Sequence, residues 1–229
     1  MNKLLRQTLA IVRKDLRREL RTREITLTTI SFSVLLMVIF TFAFYTRDRD
    51  VAMIFPGILW ISITFAGTLA VSRTFADERE TGCLRALALI PGTGFSLYLG
   101  KLFTNLCFML IFEVVLIPLL SLAFKAPLLT HPAPFLAAVG AGTLGFTALG
   151  TLLSAMLVHH RLREVLMPLL LYPLLVPLLI GGVKAVATLY DPSGEIDSAW
   201  SWIRLMLALD VLFLVGGQVL FRWVLRAIE

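Results

Sequence analysis

Residues Leu102 to Phe124 read LFTNLCFMLIFEVVLIPLLSLAF, an apolar run whose only charge is Glu113. It exceeds the roughly 20 residues that a helix needs to cross a bilayer. Five further windows of the same kind lie at about 25–45, 51–72, 134–158, 165–190 and 202–225. They predict an all-α membrane protein of six transmembrane helices, organised as a single transmembrane domain over 1–229. Composition agrees: 58% of the 229 residues are hydrophobic and 16% charged, with a mean hydropathy of +0.87. Soluble domains run at roughly 45–50% apolar and about 25% charged. A water-soluble enzyme is excluded, because one core of this size cannot hide that much apolar surface. Short loops leave no room for a large soluble domain.

Orientation follows from the basic residues. Of the 21 Lys and Arg, 16 fall on the side of the N-terminus, before the first window, between Arg73 and Lys101, at Arg161 and Arg163, and at Arg222 and Arg226. The positive-inside rule places both termini in the cytoplasm. The net charge of +6 then needs no nucleic-acid partner, since topology and anionic inner-leaflet lipid account for it. Residues 1–24 carry too many charges for a signal peptide, and a span-length run follows them. Leu5, Leu9, Val12, Leu16 and Leu20 recur at helical spacing, with Arg6, Arg13, Lys14, Arg17 and Arg21 elsewhere around the helix. That pattern predicts an amphipathic helix lying in the headgroup plane; a plain basic tail is the alternative. Cys83 and Cys107 have no metal-ligand spacing and do not suggest a disulfide.

The loop between the second and third windows, Arg73 to Pro91, holds both charge signs ahead of an amphipathic stretch. Leu84, Leu87 and Ile90 share roughly one helical face, and Gly82 and Pro91 bracket them. A short helix of this kind can seat in a groove on a partner; an ordinary solvated loop fits the same residues.

Glu78-Arg79-Glu80-Thr81-Gly82-x-Leu84-x-x-Leu87-x-x-x-Pro91, with Leu99-Gly100-Lys101 after it, resembles the cytoplasmic loop of ABC-2-type (type V exporter-like) permeases. The chain as a whole resembles the cytochrome c maturation protein B family, also called heme exporter protein B. The likeness extends through Lys14-Asp15-Leu16-Arg17-x-Glu19-Leu20-Arg21, Pro56-Gly57-x-Leu59-Trp60, and Glu164-Val165-Leu166-x-Pro168-Leu169-Leu170 on to Pro173 and Pro177. The resemblance implies a six-span permease of the bacterial inner membrane that works with a separate ABC ATP-binding subunit. It also implies a heme-handling membrane protein, a small membrane adaptor and a heme chaperone as companions, with heme as cargo of the complex. Residues 77–91 would be the coupling helix on the ATPase, with Glu78, Arg79, Glu80, Gly82, Leu84, Leu87 and Pro91 as its contacts, and residues 1–24 the elbow beside it. The chain has no Gly-x-x-x-x-Gly-Lys-Ser/Thr loop to cradle a triphosphate, and Gly94 to Lys101 has the wrong spacing. ATP and Mg therefore belong to the partner, and no catalytic or metal site is expected here.

Glu113 and Asp210 stand inside apolar windows, where a carboxylate costs several kcal/mol unless paired, hydrated or protonated. Glu113 lies roughly 16 Å inward from the Lys101 end at 1.5 Å per residue. Asp210 is expected nearer the outer end, in reach of water or Arg204. Each is a candidate for transport or gating, or for a hydrogen bond between spans. In the fourth window, Thr143, Thr147, Thr151 and Ala155 form one small-residue row, and Gly142, Gly150 and Ser154 another, favouring close packing. Pro168, Pro173 and Pro177 predict that the fifth helix is kinked or broken.

Heme usually takes a His ligand, but His159 and His160 end the fourth window and His131 precedes Pro132 in an outer loop. Trp200 and Trp202 read as interfacial anchors in the last outer loop. The residues do not show heme binding by this chain. The leading expectation is a permease whose conformational change either exports heme or frees a heme-loaded chaperone. A general ABC-2 exporter of a lipid-linked or amphipathic substrate and a non-transporting scaffold are the alternatives. Because ABC permeases pair two six-span halves, the resemblance implies pairing with a copy of itself as a homodimer, the favoured case, or with another membrane subunit.

Overall fold

A computed structural model describes residues 3–44, 51–75, 78–79, 93–128, 130–191 and 194–226. Among them are seven helices and no strand: α1 (Lys3–Thr22), α2 (Glu24–Ala43), α3 (Val51–Ser72), α4 (Thr93–Phe124), α5 (Pro132–Met156), α6 (Arg163–Tyr190) and α7 (Ile196–Arg226). Five of these carry stretches long and apolar enough to cross a membrane: Ile54–Ser72, Gly94–Phe124, Pro132–Met156, Arg163–Tyr190 and Ile196–Phe221. The apolar part of α2, Ile30–Ala43, is shorter.

Boundaries moved where packing outweighed local signals. Helix α4 starts at Thr93 rather than 102, running straight through Gly94 and Gly100. Gly100 is not a breaker; the Ile11 side chain of α1 lies so close to its backbone that a Cβ would collide with it. Helix α7 starts at Ile196, with Asp197 in its first turn, where the helix dipole favours an acid. Trp200 and Trp202 therefore belong to a helix rather than to an outer loop. Helix α6 is continuous through Pro168, Pro173 and Pro177, so it is not broken. A membrane helix tolerates such prolines when the freed carbonyls find other partners.

Helix α5 is the centre of the bundle and packs against α3, α4, α6 and α7. Its run of Gly, Ala and Thr allows that, since small residues let four neighbours approach one axis. Trp60 of α3 wedges its indole between Gly142 of α5 and Gly182 of α6, at distances that leave no space for a Cβ on either. The outer faces of α4, α6 and α7 are lined with exposed Leu, Val and Ile, among them Val114, Leu169 and Leu212, as lipid-facing surfaces are.

Candidate functional site

Lys101 stands two turns into α4 and is 3% exposed. Its ammonium donates a 2.9 Å hydrogen bond to Glu78 Oε1 and lies 2.9 Å from Asp15 Oδ2 as an ion pair. Lys14 Nζ also donates to Glu78 Oε1 and lies 3.2 Å from Asp15 Oδ1. Two ammoniums and two carboxylates from α1, α4 and the segment after α3 thus form one charge-balanced cluster, buried at Glu78 and Lys101 and open to solvent at Lys14. Ion pairs taken out of water need this compensation, because each lone charge would cost several kcal/mol. Burial pushes the Glu78 carboxyl up, but the Lys101 charge and the bonds from Lys14 and Lys101 outweigh it and hold the group below the usual carboxylate range. Burial likewise opposes the charge on Lys14, yet the bond to Glu78 and the Asp15 charge raise it above the ordinary ammonium value.

Aromatic rings close the cluster on its inner side. The Lys101 ammonium lies 5.4 Å from the Phe75 ring centre, within cation–π range. Phe75 packs on Phe221 of α7, which packs on Tyr98, and Tyr98 donates a 3.1 Å hydrogen bond to the Ala148 carbonyl of α5. Helix α1 is bound to α4 by Ile11 against Gly100 and by Ser96 Oγ donating to Gln7 Oε1 at 3.0 Å. Five elements therefore meet at one end of the bundle.

Of the expected loop contacts, Glu78 is buried in this cluster and Arg79 is exposed. Glu80, Gly82, Leu84, Leu87 and Pro91 lie outside the described residues. Lys14, Asp15 and Lys101 are not among the expected contacts, although all three lie in the runs that carry the family resemblance. A signal for Asp15 was present: Thr8, Ile11, Asp15 and Glu19 form a second stripe on α1, and two acids on one face of a basic helix mark the side turned to the protein. The leucine stripe faces away, with Leu5 and Leu9 62% and Leu20 75% exposed.

The intramembrane carboxylates are both 2% exposed. Glu113 accepts a hydrogen bond from Thr143, and Asn105 of α4 donates 2.9 Å to Thr151, so the threonine row of α5 also carries polar bonds to α4. Asp210 does not reach water or Arg204. Its carboxylate lies against the Gly145 backbone and Leu178, both oxygens lack a hydrogen-bond partner among the described residues, and Arg204 is exposed. Six residues along a helix of 3.6 per turn leave the two side chains about 120° apart. Pro173 and Pro177 are exposed and Pro168 is half-buried, so none forms a polar site.

Residues 6–221 match the family described as CcmB protein. The chain is 29% identical to "Heme exporter protein B" of Rhodobacter capsulatus over 179 residues, covering 77% of this chain and 81% of that protein. It is 30% identical to the protein of the same name from Bradyrhizobium diazoefficiens over 179 residues, covering 77% and 79%. Against the Pseudomonas aeruginosa protein the figure is 26% over 155 residues, covering 68% and 69%. With its five long apolar helices, this is a multi-pass protein of the bacterial inner membrane. A match over nearly its whole length, together with a relative 30% identical over 77% of this chain, shows that the chain belongs to the CcmB protein family.

Proposed function

We propose that this chain is the permease subunit of an ABC transporter that serves heme delivery for c-type cytochromes, a transport subunit whose ATP hydrolysis resides in a separate partner. The carrying observation is the ion cluster: Glu78, at the base of the 77–91 loop, is held by Lys101 of α4 and Lys14 of α1. A push on the loop would reach a spanning helix and the N-terminal helix together, as a coupling element requires. In this reading α2, at 20 residues, is the sixth span, both termini are cytoplasmic, and α1 is an elbow with its exposed leucines in the acyl boundary. Two copies face each other, and a heme-handling membrane protein, a small adaptor and a heme chaperone complete the assembly.

The test is to purify the complex carrying Glu80→Arg and Leu84→Asp. The expected result is loss of the ATPase subunit from the complex and loss of cytochrome c output. Full ATPase association with unchanged output would overturn the coupling assignment.

A further inference from the structure

A cleft of about 860 Å³ opens beside the ion cluster. Its sides are α2 and α6, which share no extensive contact, while α3 and α4 form its floor. It is open sideways: Phe65 and Leu69, both on its lining, are 48% and 43% exposed. Its two ends differ in chemistry. Arg18 of α1, Arg73 after α3 and Arg163 of α6 line the end next to Lys101. Phe65, Phe108 and Tyr172 lie roughly 10–14 Å further in along their helices at 1.5 Å per residue, with Phe65 and Tyr172 edge-to-face at 6.2 Å between ring centres. The same lining also holds three carboxylates, one fewer than its four cations, which leaves it net positive. Asp15 is paired with Lys101, Glu19 is buried and already bonded, and Glu164 is exposed. A guanidinium has five donors, so bonds already made leave others for a bidentate phosphate contact.

We infer that this cleft is a binding site for an anionic phospholipid of the inner leaflet, its phosphate held by Arg18, Arg73 and Arg163 and its upper acyl chains laid along Phe65, Phe108 and Tyr172. Three facts select this occupant. Arginines from three separate elements line the same end of the cleft, and a phosphodiester matches the fork geometry of a guanidinium. The sideways opening admits a molecule from the bilayer without passage through water. The apolar end is long and aromatic, which suits chains rather than a soluble anion. A choline headgroup would bring a fixed cation to three arginines and is disfavoured. The assignment rests on the orientation proposed above.

The experiment uses the full-length chain in phosphatidylcholine nanodiscs doped with a phosphatidylglycerol that carries a photoreactive acyl chain. Labelling is expected on peptides containing Phe65, Phe108 or Tyr172. Unlabelled phosphatidylglycerol should suppress it, and added phosphatidylcholine or free glycerol phosphate should not. Since a hydrogen bond to a charged group contributes about 1.5–3 kcal/mol, Arg73→Gln with Arg163→Gln should lower labelling by about tenfold or more. The wild-type competition stands by itself if that variant fails to fold. Equal competition by phosphatidylcholine, label spread over the outer faces of α4 and α7, or suppression by glycerol phosphate alone would overturn the proposal. So would displacement of the label by hemin but not by phosphatidylglycerol, which would give the cleft to a dicarboxylate ring. The readout contains neither ATPase nor cytochrome, so its failure leaves the coupling assignment standing, and failure of coupling leaves the labelling intact.

Discussion

At Lys101 an ammonium, two carboxylates and a phenyl ring meet with little exposure to solvent. Lys101→Met keeps the apolar stem but leaves Glu78 and Asp15 with only the half-exposed Lys14 to share. A loss of about 3–5 kcal/mol is expected for breaking such a buried pair, read as a lower thermal midpoint in detergent. Lys14 is more than half exposed, so Lys14→Met should cost at most about 1 kcal/mol. The pH dependence follows from the same geometry. Because the Glu78 pKa is lowered on folding, its contribution is complete above the ordinary carboxylate range near 4.3, and is lost as pH falls through the depressed value. Glu78→Gln should remove this acid limb from a plot of unfolding midpoint against pH. An unchanged limb in the variant would show that other carboxylates control it.

Among the elements, α5 sets what its neighbours can do. Gly142→Ala or Gly182→Ala would drive a methyl into the Trp60 ring, which has a helix on each side and cannot step back. Overpacking of that kind costs about 1–3 kcal/mol. Gly140→Ala, on the same helix with open space around it, should be nearly neutral. Thermal melts of the three variants side by side separate close packing from a general intolerance of alanine in α5. Helix α1 is a two-faced element: Ile11, Asp15 and Glu19 turn to the bundle, while Leu5, Leu9 and Leu20 are exposed.

Considered as a whole molecule, the bundle brings Lys14, Glu78, Lys101, Ala148 and Phe221 to one end, although they are spread over most of the chain. The proposed topology assigns that end to the cytoplasm. A cysteine at the exposed Arg79 should react with a membrane-impermeant maleimide in inverted vesicles and not in intact cells; the reverse pattern would turn the molecule over and remove the coupling function. Cross-linked or native-mass measurement of the purified complex should find two copies of this chain per assembly.

Length and apolar windows were enough to establish a helical membrane protein, because the cost of burying backbone and charge in lipid acts on each segment locally. The family could also be read from motif runs such as Glu78 to Pro91, since those are contiguous. Tertiary structure alone decided that Lys101 is a buried ion-pair partner, that Gly100 sits against Ile11 of α1, and that Asp210 turns away from Arg204 toward α5. Each of these depends on which neighbour a side chain meets across the bundle, and that follows from packing between segments distant in the chain, which no local window contains.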